Sequence, residues 1–290
     1  MELFQYPYMQ RALIAALVIG LAAPALGIYL VQRRLALIGD GVGHVALTGV
    51  GAGLLLNSSP VLVAVVAATL GAVAIELVRA RGRTSGDLAL ALLFYGGIAG
   101  GVMLVGLSDA TSASLNAYLF GSLTTISPQD LTTIVVLGAA ILVTMLTLRP
   151  ALFAVCHDEE YARVAGLPVR ALNLLLAVGT AVTVTIAMRA VGVLLISALM
   201  VVPVATAQQV TRGFRATMTA AMALGLFAAG SGVWVAANAD TAPGASVVLL
   251  AIASFLVVAV AAAGWRALRR RRTRAGAPTP EPHEHEVVLS

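Results

Sequence analysis

The stretch RRLALIGDGVGHVALTGVGAG, residues 33–53, has two arginines followed by an apolar run long enough for most of a membrane-spanning helix. Inside this run, Asp40 and His44 stand four residues apart, so a helix places both side chains on one face. Because a charged group in hydrocarbon is costly, such a pair predicts a functional site whose cargo is a metal ion or a proton.

The whole chain has the composition of an integral membrane protein. Of its 290 residues, 60% are hydrophobic and 11% are charged, and the mean hydropathy is +0.96. A helix needs about 20 apolar residues to cross the hydrocarbon core of a bilayer. Nine segments are candidates by this criterion: residues 12–31, 36–56, 61–78, 88–107, 131–148, 171–188, 190–210, 216–236 and 245–264. We therefore predict an all-α integral membrane protein with eight or nine transmembrane helices.

The basic residues predict the orientation of the chain. All 18 of them are arginine, and most fall in alternate connections between the predicted spans. By the positive-inside rule these connections face the cytoplasm, which places the N-terminus outside and the C-terminus inside if all nine spans exist. The net charge of +5 then reflects topology and contact with anionic membrane lipid, and it does not indicate nucleic-acid binding.

The sequence divides into one long membrane domain and a tail. Residues 1–265 form the polytopic domain, and residues 266–290 are first basic and then rich in Pro, Glu and His, which is typical of a disordered cytoplasmic tail. Residues 115–125 are semi-apolar but too short to span, so we expect a re-entrant or surface helix there. Residues 156–169 are the longest charged connection, with helical character over 159–165.

Asp40 and His44 supply only two ligands, whereas first-row divalent ions take four to six. A homodimer with this helix at its two-fold axis would bring two copies of each together, a tetrahedral set for zinc or most of a set for manganese. Because only neutral imidazole binds metal, metal binding by His44 is expected to weaken when the pH drops below the pKa of this residue. His283 and His285 in the tail are weaker candidates, since ordering a flexible strip costs entropy.

Several enzyme motifs are absent from the chain. It has no lysine, so it contains no GxxxxGK[ST] phosphate loop, and any ATP hydrolysis must occur on another polypeptide. It also has no G-x-S-x-G elbow and no H-E-x-x-H zinc motif. An intramembrane enzyme therefore has little support, and we predict a protein that is not an enzyme and that has no resident cofactor. If the cargo of the Asp40 and His44 pair is a metal ion, the ligands suit a divalent metal, zinc or manganese.

Four blocks of the chain resemble the permease subunits of ABC-type zinc and manganese importers. They are residues 33–53, with Gly-Asp followed four residues later by His; residues 118–122, YLFGS; residues 190–212, with the core VPVATA; and residues 230–245, GSGVWVAANADTAPGA. The likeness extends to about residue 264. It implies the fold of an ABC importer permease and assigns the metal site to Asp40 and His44.

A fifth segment resembles the E-A-A-x₃-G pattern of importer coupling helices, which contact the ATPase. Here the pattern has Glu160, Tyr161, Ala162 and Gly166, with Glu159 just before it, and it departs from the family where Tyr161 replaces alanine. The resemblance assigns these five residues to ATPase coupling.

The same resemblance implies the partners and the location. It predicts a permease in a bacterial inner or plasma membrane, paired with a second permease copy and with two ATP-binding cassette subunits. An extracytoplasmic metal-binding protein would deliver the ion, which agrees with outer connections too short to form a capturing domain. Ligand chemistry favours zinc, with manganese next.

Two other functions also fit the residues. An ion-gradient-driven carrier could use Asp40 and His44 as a proton or metal relay, and it would work without an ATPase. A membrane scaffold could use the pair only to join helices, and substitution by Asn or Gln would then leave function intact.

Overall fold

The computed structural model describes residues 6–80, 86–108, 112–122 and 124–275, and within these ranges the regular structure is entirely α-helical. Eight helices are long and apolar enough to cross a membrane. They are α1 (Pro7–Gln32), α2 (Ile38–Leu55), α3 (Pro60–Ala80), α4 (Gly86–Leu107), α6 (Pro128–Thr147), α9 (Val169–Ala187), α11 (Phe214–Ala239) and α12 (Pro243–Ala275). Four shorter helices connect them: α5 (Ser112–Phe120), α7 (Arg149–His157), α8 (Glu159–Val164) and α10 (Ile196–Gln208).

The ends of the long helices form two opposite faces of the molecule. At one end Arg33 contacts Glu159 and Asn173, and we call this end the Arg33 face. At the other end Arg189 contacts Tyr118 and Asp130, and we call it the Arg189 face. The helix α1 begins at the Arg189 face and α12 runs away from that face, so the described chain starts and finishes on opposite sides.

Eight of the nine predicted spans coincide with the eight long helices, but the prediction of one continuous helix over 190–210 is wrong. Residues 188–195 form turns, and only Ile196–Gln208, 13 residues, is helical. Because α9 ends at the Arg189 face and α11 begins at the Arg33 face, this broken segment still makes a ninth crossing. The described residues thus contain nine crossings, which agrees with the predicted eight or nine. We call this partly irregular segment the ninth crossing because it is not one of the eight long helices, although it is the seventh along the chain.

A close tertiary contact at Gly192 accounts for the break. Gly192 has a positive φ of 91°, and its Cα packs against the backbone of Leu119 and Phe120, where a side chain would collide. The amides of Val193 and Leu194 donate to the carbonyls of Tyr118 and Leu119 at 3.0 and 3.3 Å. Carbonyl groups at the C-terminal end of α5 thus take the place of the missing helical partners of the irregular segment, because backbone groups inside a membrane need hydrogen-bond partners.

Small residues bring the helix backbones close together. Gly20 of α1 and Gly225 of α11 pack so closely that a Cβ on Gly20 would lie 2.7 Å from the Gly225 carbonyl oxygen. Close approach of this kind increases van der Waals contact between helices where lipid offers no hydrophobic driving force. The glycine and alanine residues of the spans therefore allow the helices to pack closely.

The shorter predicted elements agree with the structure except at their bounds. The semi-apolar helix occupies 112–120 and not 115–125, and the helix predicted over 159–165 is present as α8. The helix α12 continues to Ala275, beyond the predicted end of the membrane domain at residue 265, because arginine has high helix propensity and complements the C-terminal end of a helix dipole. Residues 276–290, with His283 and His285, lie outside the described residues.

Candidate functional site

Asp40 lies in the first turn of α2, where its half-buried carboxylate meets the start of α10. The hydroxyl of Ser197 donates a hydrogen bond to Asp40 Oδ1, and the Ser197 side chain is buried. Ser197 stands at the beginning of α10, immediately after the irregular part of the ninth crossing. The break in that crossing thus places a hydroxyl, rather than the middle of a continuous helix, beside the carboxylate.

The position of Met200 shows how deep Asp40 lies. Gly27 of α1 packs on the Met200 backbone, and Gly39, next to Asp40, packs near the Met200 sulfur. Gly27 precedes the end of α1 at Gln32 by a little more than one turn, which corresponds to ~7.5 Å along the axis. The first turn of α2 therefore lies below the surface of the Arg33 face, about one helical turn into the molecule, and not at that surface.

His44 lies one turn further along α2 and is only 7% exposed. The ring of Phe94 from α4 meets the imidazole edge-on, with 4.5 Å between ring centroids. Gly97 of α4 lies against the His44 backbone, where a Cβ would come within 2.6 Å of the carbonyl carbon. The imidazole Nδ1 is buried and has no hydrogen-bond partner among the described residues. A buried ring nitrogen of this kind loses its hydration without compensation, so it favours an additional ligand.

The structure brings Asp40 and His44 to the same side of α2, as predicted, without joining them directly. Neither side chain pairs with the other within 4.0 Å, and Asp40 instead contacts Ser197. Among the described residues, no group of three or more His, Cys, Asp or Glu side chains is placed to hold a metal ion. One copy of the described chain thus offers two strong ligands and a neighbouring hydroxyl.

The surroundings of α2 bear on the expected dimer axis. Most residues of α2 are buried within this single chain, against α3, α4, α9 and α10. Asp40 is half-buried whereas His44 is enclosed, so the Asp40 end is the more accessible part of the pair. A second copy could add ligands there more readily than along the length of the helix.

The five residues assigned to ATPase coupling fall on or next to α8. Asp158 caps this helix by accepting a hydrogen bond from the Tyr161 amide at 2.9 Å. Ala162 is fully buried and holds α8 against the body of the protein, whereas Glu160 is exposed and Tyr161 is 67% exposed. Gly166 follows with a positive φ of 79° and open space around its Cα, and it ends the helix.

Sequence reasoning missed three residues that the structure places at these sites. Ser197 and Phe94 touch Asp40 and His44, and Val164, which is 88% exposed, extends the apolar surface of Tyr161 on α8. Val164 falls on an unspecified position of the coupling pattern. No spacing signal connects Ser197 or Phe94 to the pair, because both lie on other helices.

Three other ionisable residues at or near the ends of the spans have structural roles. Glu76 pairs with Arg79 at 2.9 Å, as the spacing predicts for an ion pair on one helix. Asp130 forms a capping box with Ser127 at the start of α6 and also pairs with Arg189 at 2.6 Å. Asp240 ends α11 in the left-handed conformation that turn residues adopt.

Comparison with known proteins gives a family match over nearly the whole chain. The model described as the ABC 3 transport family matches residues 5–262. The chain is 31% identical over 255 residues to the manganese transport system membrane protein MntC of Halalkalibacterium halodurans, covering 88% of this chain and 87% of that protein. It is 33% identical over 260 residues to the chelated iron transport system membrane protein YfeD of Yersinia pestis, covering 89% of this chain and 86% of that protein.

Two further comparisons agree with this match. The chain is 30% identical over 246 residues to the high-affinity zinc uptake system membrane protein ZnuB of Haemophilus influenzae, covering 85% of this chain and 94% of that protein. The structure of PsaBC from Streptococcus pneumoniae in complex with Fab superposes with a TM-score of 0.80 at 29% identity, covering 88% of this chain and 92% of that chain. This likeness confirms the predicted permease architecture. The alternative function, an ion-gradient-driven carrier that works without an ATPase, is not favoured by these comparisons. The chain therefore belongs to the ABC 3 transport family of membrane permeases.

Proposed function

We propose that this permease imports a divalent metal ion, zinc first and manganese next, and that Asp40 and His44 bind the ion during its passage. The observation that carries the proposal is the buried imidazole of His44, one turn from a half-buried carboxylate, with an Nδ1 that finds no partner in the part of the chain that the structure describes. An ionisable pair inside a membrane domain is costly, and binding of a cation offsets that cost. Transient binding by few ligands also lets the ion leave.

The choice of ion rests on ligand chemistry. One imidazole nitrogen and one carboxylate oxygen suit both zinc and manganese, and the Irving–Williams order gives zinc the higher affinity. The relatives are named for manganese, iron and zinc, so their names support a first-row divalent metal as the cargo. The remaining ligands would be water or side chains of a second permease copy that approaches the accessible Asp40 end.

The proposed partners are inferred from a motif that the chain lacks and from the exposed surface of α8. The chain has no phosphate-binding loop, so a pair of separate ATP-binding cassette subunits would hydrolyse ATP, and the permease itself would not be an enzyme. The exposed Tyr161 and Val164 give α8 an apolar surface suited to docking on such a subunit. The Arg33 face, with the C-terminal end of α12, is then cytoplasmic, and an extracytoplasmic metal-binding protein would dock on the Arg189 face.

Metal uptake by cells that express the permease with its ATPase and binding-protein partners tests this proposal. Asp40→Asn and His44→Gln nearly preserve side-chain volume while weakening metal binding, and we expect each to lower uptake at least 10-fold. The control is Ser231→Ala, which removes a hydroxyl that bonds to carbonyls of its own helix, and it is expected to leave uptake unchanged. Competition among zinc, manganese and iron identifies the cargo. Normal uptake by both site variants at equal expression would contradict the proposal.

A further inference from the structure

Arg33 joins three separate elements at the Arg33 face. It follows α1 directly, and its guanidinium donates from Nη1 to Asn173 Oδ1 of α9 at 2.7 Å and from Nη2 to Glu159 Oε2 of α8 at 3.2 Å. The planar guanidinium presents several donors in a fixed arrangement, so one arginine can hold both acceptors at once. A lysine has a single ammonium group and cannot reproduce this geometry.

The arginine side of this contact is enclosed, unlike the partners in most surface ion pairs, whereas the glutamate side reaches solvent. The Arg33 side chain is 8% exposed, Asn173 is 7% exposed, and the Glu159 side chain is 41% exposed. Burial lowers the pKa of the Arg33 guanidinium, and the nearby Arg79 lowers it further, whereas the Cys156 thiol and the carboxylates of Glu76 and Glu159 oppose the change. A buried charge costs free energy when its partner is removed, so the position of Arg33 depends on that of Glu159.

The chain leads from Arg33 straight to the Asp40 end of α2. The connection between α1 and α2 is short and internally bonded: the Leu35 amide donates to Leu30 at 2.8 Å and the Ile38 amide donates to Leu35 at 3.0 Å. Asp40 then lies in the first turn of α2. A displacement of Arg33 is therefore carried to the turn that presents Asp40, without a flexible loop between them.

We propose that Arg33 is a positioning residue that transmits movement of α8 to the Asp40 end of α2. The inference rests on the proposed function, because it takes α8 as the ATPase contact and Asp40 as a metal ligand. When a partner subunit moves α8, Glu159 moves with it, and Arg33 follows because its charge is paired there. The carboxylate of Asp40 then changes its position relative to Ser197.

The test compares Arg33→Lys with Arg79→Lys in the assembled transporter, purified and reconstituted in liposomes. Both substitutions keep the charge on the same face, but Arg79 pairs with Glu76 of its own helix and does not bridge to α8. The measured quantity is metal taken up per ATP hydrolysed, with zinc and then manganese as the probes. We expect Arg33→Lys to keep basal ATP hydrolysis but to lower this ratio at least 10-fold, and Arg79→Lys to stay within about twofold of the wild type.

Glu159→Gln completes the design, with Glu76→Gln as its control. If Arg33 acts through Glu159, the double variant Arg33→Lys with Glu159→Gln transports no less than Glu159→Gln alone. The reason is that Glu159→Gln has already removed the ion pair, so Arg33→Lys has no further interaction to remove. Unchanged ratios in both single variants, or a parallel loss of ATP hydrolysis and uptake in a correctly assembled complex, would overturn the inference. A wild-type transporter that hydrolyses ATP but takes up no metal would instead contradict the proposed function.

Discussion

Ser197 donates a hydrogen bond to the carboxylate of Asp40 across a sequence separation of 157 residues. The bond joins the first turn of α2 to the first turn of α10, where the ninth crossing becomes helical. It fixes the direction of one carboxylate oxygen, and under the proposed function the other oxygen would bind the metal ion. Hydrogen bonds of this kind orient metal ligands in many sites.

Replacing Ser197 by alanine is expected to lower metal uptake about 10- to 100-fold, the usual cost of losing a group that orients a ligand. Uptake in cells with all partners present measures the effect. Ser231→Ala is the control, because the Ser231 hydroxyl contacts only carbonyls of its own helix. Equal uptake by the two variants would show that the carboxylate of Asp40 does not need this donor.

Gly97→Ala is expected to destabilise the protein by about 1–3 kcal/mol, because the added methyl group would collide with the His44 backbone. Thermal unfolding of the purified permease in detergent measures the change, and uptake is expected to fall with it. The neighbouring Gly96 has open space around its Cα, so Gly96→Ala is expected to change neither property. Equal stability of the two variants would mean that α2 and α4 pack less closely than the structure shows.

The ion pair between Arg189 and Asp130 is expected to contribute a coupling free energy of about 1–3 kcal/mol. Both side chains are largely enclosed, with 22% and 17% of their surfaces exposed, so solvent screens the pair only in part. A double-mutant cycle with Arg189→Gln and Asp130→Asn, read by unfolding in detergent, isolates the pairwise energy. Additive single effects would show that the two charges act independently.

Cys156 is expected to react slowly with thiol reagents at neutral pH. Burial raises the pKa of its thiol from 9.0 to about 11, although Arg33 and Arg79 favour the thiolate. The thiolate is the reactive form, and at pH 8 a rise of about two pKa units reduces its fraction ~100-fold. Maleimide labelling should therefore keep accelerating towards pH 11 in the folded permease and level off near pH 9 after denaturation. Fast labelling of the folded permease at pH 7 would contradict this expectation.

Hydrophobicity alone was enough to predict most of the fold. Runs of about 20 apolar residues identify membrane helices because an unpaired backbone group in lipid is so costly. The exception was the segment 190–210, whose apolar composition concealed a break. The break depends on Gly192 packing against residues 119 and 120, a tertiary contact that no local pattern reports.

The candidate site could be predicted only in its local part. Asp40 and His44 were recognisable because ionisable groups are rare in apolar helices and because helical spacing relates them. Ser197, Phe94 and the bridge from Arg33 to Glu159 come from distant parts of the chain. Their sequence positions carry no common period, so only the packing of the helices reveals them.

The broken ninth crossing also constrains how the protein is made. A 13-residue helix, ~20 Å long, is too short to enter the bilayer core as an independent span during synthesis. The amides of Val193 and Leu194 find their acceptors only once residues 118 and 119 are already in place. Insertion of this segment should therefore wait for the earlier helices and proceed together with α11, so Ser197 reaches Asp40 only late in biogenesis, when just α12 remains to be inserted.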